Sequence, residues 1–137
     1  MTELNGENMK KLKIPAKHPF YKYTSVSRTI VRNSWLFHFM IRLIELLLAD
    51  RTTKLSTATK AAYKETLAPH HPTLVRTAAS LAMLAVPKRE KFVRLLTGAE
   101  DGSEEACERL GRLEAGVRKV WEQVVTIISE NNYGNLP

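Results

Sequence analysis

The sequence predicts an all-α fold of about five helices, and three observations support this. Apolar residues recur at three- and four-residue steps over long stretches, and no strand-like alternation, internal repeat or low-complexity stretch appears. The six glycines and six prolines fall mostly between the apolar stretches, where they punctuate helices. Leu, Ala and Val far outnumber the aromatics, and a 44% hydrophobic content over 137 residues suits the core of one domain.

Residues 1–23 read as a basic extended arm. Pro15 and Pro19 remove backbone donors and forbid a long helix there. His18, Phe20, Tyr21 and Tyr23 lie among its lysines. A helical domain is expected over 24–137. Its first helix, about 25–49, starts at a cap supplied by Thr24 or Ser25. Val26, Ile30, Trp35, Phe37, Ile41, Ile44 and Leu48 form its apolar stripe, widened by Phe39, Met40, Leu43, Leu46 and Leu47. A helix this apolar is covered on more than one side.

A polar linker over 50–55 leads to a second helix, 56–68, opened by Ser56 and stopped by Pro69. Pro72 suits the first turn of a third helix, 72–86, which Pro87 ends. Leu74, Val75, Ala78, Leu81, Ala82 and Ala85 are expected on its inward side. A short fourth helix, 88–97, stops at Gly98 in the left-handed conformation. The last helix, 103–130, is capped by Asp101 or Ser103, with acidic residues in its first turn. Ala106, Leu110, Leu113, Val117, Val120, Val124 and Ile128 make a single stripe along it, and Asn131 and Asn132 end it.

The net charge of +7 is uneven. Residues 1–32 carry seven Lys or Arg against Glu3 and Glu7, a net +5, whereas 33–137 carry fourteen basic and twelve acidic residues, a net +2. The arm is therefore expected to lie on a protein partner or an anionic surface. Nucleic acid is disfavoured, because no recognition motif accompanies the charge. The lone Cys107 forms no internal disulfide and reads as a small buried hydrophobe. No apolar secretory leader is visible in the first 34 residues. The most apolar stretch, Trp35 to Ala49, is only 15 residues long and contains His38, Arg42 and Glu45. A membrane span needs about 20 apolar residues, so this stretch reads as a buried helix. An intracellular protein is expected, cytoplasmic or organellar. A mitochondrial address fits the composition, although Glu3, Glu7, Pro15 and Pro19 make a poor presequence.

Enzymatic readings find no support. The sequence holds no Gly-rich phosphate loop, no HExxH, no spaced cysteines and no nucleophile elbow, so no enzyme and no cofactor are expected. His70 and His71 are adjacent, but neighbours in a loop point apart and no third ligand is near in sequence, so no metal is expected.

The most specific signal lies in residues 57–96. It runs through Ala61-Ala62-Tyr63, Leu67-Ala68-Pro69-His70-His71-Pro72, Leu74-Val75-Arg76, Ala79-Ser80-Leu81-Ala82-Met83 and Pro87-Lys88-Arg89-Glu90-Lys91-Phe92. Order and spacing resemble the glycolipid transfer protein family, including its ceramide-1-phosphate transfer branch. That family shows an Ala-Tyr helix, a Leu, a Tyr-His-Pro/Gly-Trp turn, a Val-Arg helix and a Pro-x-Arg-x-x-Phe element. The stretch from Arg28-Thr-Ile-Val-Arg32 to Leu48 agrees more loosely, and the last helix matches in length and pattern.

The resemblance implies a two-layer helical sandwich, here its C-terminal part, with a lipid chain between the layers and a surface site for the headgroup. That site uses an Asp and an Asn or Lys on an early helix, a Trp or Arg on a middle helix, and the His of the turn. His71 matches that His; read from its own neighbours, it is a helix N-terminal residue bonded to the backbone. Trp35 matches the sugar-stacking Trp if the middle helix aligns by Trp-Leu, and is otherwise core packing. Arg28 and Arg32 match the phosphate arginines if it aligns by Arg-Thr-x-x-Arg, and are otherwise a solvated helix start. Arg76 and Arg89 match structural positions. The chain departs from the pattern in having no Asp before Asp50, Thr73 in place of the Trp after the His, and bulky residues around Phe39.

The expected function is a sphingolipid- or phosphosphingolipid-binding module with impaired or lost transfer. The alternative is a non-catalytic structural subunit of a larger, membrane-associated or mitochondrial assembly. Either way, a protein chain is expected to pack on helix 24–49, whose apolar surface is wide.

Overall fold

The computed structural model describes residues 26–133. The expected arm over 1–23 and the caps Thr24 and Ser25 lie outside these residues. The described chain is all-helical, with five α-helices: α1 (Val26–Ala49), α2 (Leu55–Thr66), α3 (Thr73–Ala82), α4 (Arg89–Thr97) and α5 (Glu104–Glu130). A 3-10 turn, Ala68–His70, follows α2. The described chain divides into two compact units, Trp35–Glu122 and a smaller one that holds residues 26–34 and 123–133.

In the larger unit, α1 is buried along two sides, as its wide apolar surface demands. Leu43 and Leu47 pack with Leu55, Ala58 and Ala62 of α2, with Phe39, Leu46, Val86 and Phe92 closing around them. Ile44 packs with Val93 of α4, Ala99, and Ala106 and Leu110 of α5, with Leu48 and Leu113 alongside. The small residues Ala58, Ala62 and Ala106 let these helices approach closely. Half-exposed ion pairs run across the same helices. Arg42 pairs with Glu65 at 2.5 Å and Glu45 at 3.1 Å, and Arg118 pairs with Glu45 at 2.7 Å and with Glu114. Pairs this exposed add little stability.

In the smaller unit, the start of α1 buries Ser27, Val31 and Ser34. The Ser34 hydroxyl donates to the Val31 carbonyl at 2.7 Å, so a polar residue is satisfied inside the helix. The end of α5 half-buries Val124 and Ile128. It stops at Asn132, whose φ of 54° is left-handed, and Asn131 Nδ2 donates back to the Ile127 carbonyl at 2.8 Å.

The other helix ends follow local chemistry. Gly98, at φ 71°, closes α4 through its N–H to the Arg94 carbonyl at 2.8 Å, and a Cβ there would sit 3.3 Å from Arg109. Ser103 caps α5, its hydroxyl accepting from the Ala106 N–H at 3.1 Å, with Glu104 and Glu105 in the first turn. By contrast, α2 begins one residue before Ser56, after Lys54, which makes no side-chain cap. Four expectations are corrected. First, α2 ends at Thr66 because Pro69 turns the chain into the 3-10 turn two residues earlier than expected. Second, α3 ends at Ala82 rather than near 86: the Leu84 and Ala85 N–H groups bond to carbonyls three residues back, a tighter turn that swings Met83 inward. Third, α3 has no buried residue at all. Leu74 is 83% exposed, and Val75, Leu81 and Leu84 are also exposed. The apolar stripe of α3 exists, but most of it is exposed among the described residues. Fourth, Cys107 is only half-buried.

One side chain ties the larger unit together. Arg89, the first residue of α4, is 8% exposed. Its Nη2 donates to the Leu47 carbonyl at 2.8 Å, near the end of α1. Its Nη1 donates to the carbonyls of Asp50 at 2.8 Å and Thr53 at 3.1 Å in the α1–α2 linker. Its Nε meets the Asp101 carboxylate at 2.8 and 3.1 Å. The linker is also stapled by Asp50, whose carboxylate accepts from the Thr52 hydroxyl at 2.7 Å, the Thr52 N–H at 2.8 Å and the Thr53 hydroxyl at 2.8 Å. These bonds, the Thr52 hydroxyl first, hold the Asp50 carboxyl down to about 2.

Two predictions follow from this linker. Arg89→Ala leaves a buried carboxylate and three carbonyls without their donor, and should cost about 3–5 kcal/mol in urea denaturation. Arg89→Lys keeps the charge but loses the planar fork, and should fall between the two; a loss below about 1 kcal/mol for the alanine variant would contradict this role. Asp50 has a depressed folded pKa, so its contribution to stability is fully present above the unfolded value and is lost as pH falls toward about 2. Side-chain carboxyl NMR titration should show Asp50 among the last groups to protonate. Thr52→Ala should move it back toward the ordinary aspartate value.

Candidate functional site

The turn that carries His71 is shaped by two prolines. Pro69 and Pro72 exclude a continuous helix between α2 and α3. His71, which precedes a proline, is extended at φ −103° and ψ 136°. Its N–H bonds to the Ala68 carbonyl at 3.2 Å, and its Nδ1 lies 2.9 Å from the Tyr63 hydroxyl. Tyr63 is buried in α2, so its hydroxyl needs the partner that His71 provides. His71 is half-buried, and with Nδ1 engaged by Tyr63, Nε2 is the ring nitrogen left for a ligand.

The preceding residue faces a different helix. The ring of His70 stacks on Trp35 of α1 with centroids 4.0 Å apart and planes 3° from parallel. Burial against the indole, and then the neighbouring His71 and His38, push the His70 pKa down, which favours the neutral ring. One turn further along α1, His38 stacks on Trp121 of α5 at 5.0 Å and 22°. Trp35 is half-buried, with one face covered by His70.

Arg28 and Arg32 occupy the start of α1, in the smaller unit. Four residues apart, they share one helix face at a rise of about 6 Å. Arg32 is exposed and Arg28 half-buried. The expected site residues thus divide into two groups. His71 and Trp35 are joined through His70, and the arginines accompany each other. The roles of Tyr63 and His70 were not legible beforehand. Tyr63 stands eight residues from His71 across a proline break, and His70 stands 35 from Trp35, so no helical period links either pair.

A cleft of about 650 Å³ lies between α2 and α3. Lys60, Lys64 and Arg76 stand around it, and Leu81, Met83 and Leu84 form much of its apolar lining. Among the described residues, no three His, Cys, Asp or Glu side chains are placed to hold a metal ion, and no helix is long and apolar enough to cross a membrane.

Comparison with known proteins agrees with this architecture. The family model described as Glycolipid transfer protein (GLTP) matches residues 2–98. The ceramide-1-phosphate transfer protein of Xenopus tropicalis is 32% identical over 115 residues, covering 80% of this chain and 51% of that protein. Its counterpart in Rattus norvegicus is 29% identical over 122 residues, covering 88% of this chain and 54% of that protein. This chain thus spans about half the length of the curated relatives it matches. The crystal structure of human ceramide-1-phosphate transfer protein with 12:0 ceramide-1-phosphate superposes with a TM-score of 0.76 at 22% identity, over 96% of this chain and 62% of that one. The apo form of the mouse protein gives 0.69 at 26% identity, over the same shares of 96% and 62%. These relatives are lipid transfer proteins rather than enzymes, and their fold is the all-α fold described above. The chain belongs to the glycolipid transfer protein family.

Proposed function

We propose that this chain is a sphingolipid-binding module for a phosphorylated headgroup, with His71, Arg28 and Arg32 as its headgroup residues. The observation that carries the reading is the bond between Tyr63 and His71, which engages Nδ1 and leaves Nε2 for a headgroup. The relatives' ceramide-1-phosphate names and the covered face of Trp35 favour the alignment by arginines over the alignment by Trp35 as a sugar platform. Paired guanidinium forks one helical turn apart suit a phosphate. Slow or absent transfer is part of the proposal.

A second reading is a non-catalytic subunit of a larger assembly, and the exposed Leu74, Leu81 and Leu84 favour it. In this reading a protein chain covers the apolar surface, including that of helix 24–49, and the arm lies on that partner or on an anionic surface. An intracellular address, cytoplasmic or organellar, suits both readings.

Binding to phosphatidylcholine vesicles containing ceramide-1-phosphate tests the first reading. Charge-assisted hydrogen bonds of about 1.5–3 kcal/mol predict that His71→Ala or Arg32→Ala weakens binding roughly 10- to 100-fold with the melting temperature preserved. Unchanged binding in both variants would remove the proposed site. Light scattering of the lipid-free chain tests the second. A stable monomer with a cooperative melt would leave no need for a partner.

A further inference from the structure

The structure assigns His70 a role that goes beyond the headgroup residues: we infer that His70 sets headgroup selectivity by occupying the indole face of Trp35 that a sugar would need. The inference rests on the sphingolipid reading above. A pyranose ring packs its C–H bonds against an open aromatic face, and an indole is the largest such face a side chain offers. Trp35 offers such a face to His70, the residue next to His71. That face is taken. The imidazole of His70 lies parallel to it at 4.0 Å and 3°, which is full stacking contact.

The covered face is also the relevant one. His70 and His71 are consecutive, so the face that meets His70 is turned toward the 67–72 turn. A headgroup that reached Nε2 of His71 and stacked on Trp35 would have to displace His70. The backbone that carries the ring is held at two points. The His70 N–H is bonded to the Leu67 carbonyl at 3.0 Å within the 3-10 turn, and the next residue is held by Tyr63 at 2.9 Å. While the imidazole is stacked there, it blocks a sugar from that face. A phosphate needs donors rather than a platform, and loses nothing. Exclusion by a built-in occupant is an economical route to selectivity, since affinity for the right headgroup need not rise.

The groups facing His70 are His71 beside it and His38 on α1, and both disfavour a charged imidazole. A neutral ring lying flat on the indole fits this environment.

The test compares three proteins in a Trp121→Phe background, so that Trp35 alone reports by fluorescence. These are the parent, His70→Ala and His70→Phe. Each is measured against phosphatidylcholine vesicles carrying either ceramide-1-phosphate or a monoglycosylceramide. The parent should prefer ceramide-1-phosphate. His70→Ala should bare the indole, raise acrylamide quenching of Trp35, and cut the preference about tenfold through gained monoglycosylceramide binding. His70→Phe keeps a flat ring on the indole and should retain both the low quenching and the preference, which separates the stack from imidazole chemistry. An unchanged preference in His70→Ala, or equal quenching in the parent and His70→Ala, overturns the inference while the sphingolipid reading stands. A parent that binds neither vesicle overturns the reading itself, and the inference with it. A His70→Phe variant that behaves like His70→Ala also overturns it, because the stacked ring would then not be the cause.

Discussion

Every α-helix ends with carbonyls that its own N–H groups cannot reach, and burying such an end is costly unless a donor is brought to it. The Leu47 carbonyl, near the end of α1, is buried, and its donor is the guanidinium of Arg89. One planar group satisfies a carbonyl of α1 and two in the linker, while Asp101 neutralises its charge. This arrangement fixes where α2 departs from α1 and where α4 begins. The two apolar clusters on either side of α1 depend on those departures, because α2 builds one and α4 helps build the other. A lysine, with one point charge, could not serve three separated carbonyls and a carboxylate together. Arg89 stands in the Pro-x-Arg-x-x-Phe pattern, so the most specific motif of the sequence marks a structural joint as well as a relationship.

The candidate site depends on that joint indirectly. α1 supplies Trp35, α2 supplies Tyr63, and the turn after α2 supplies His70 and His71. The crossing of α1 and α2, set at the Arg89 end, decides whether the two histidines find their partners at the other end of α2. The ion pairs of Arg42 with Glu65 and Glu45 lie along the same crossing. They are too exposed to fix it, but they match its polarity.

Much of the fold was legible because helix ends are written locally. Gly98 and Ser103 act within their own turns, and the structure uses both as their chemistry suggests. The interior of α1 was legible because apolar residues all round a helix leave no other reading. α3 was misread for a related reason. Leu74, Leu81 and their neighbours share a face, but spacing alone says nothing about whether anything lies opposite. At the site, the motif pointed to His71, Arg28, Arg32 and Trp35, with the register of the helix left open. It did not reveal Tyr63 or His70 in their roles, since one acts across a break in the helix and the other across a long sequence separation.

The 67–72 turn has an implication for how such a chain can vary. Surface connections ordinarily absorb inserted residues at small entropic cost. Here two neighbouring residues are committed to different helices, His70 to α1 and His71 to α2, with 3.8 Å of backbone between their Cα atoms. One added residue between them would detach one ring or the other. The turn can therefore change its side chains far more readily than its length, and a spliced or engineered form with even a single codon gained there would keep its helices and lose its bracket.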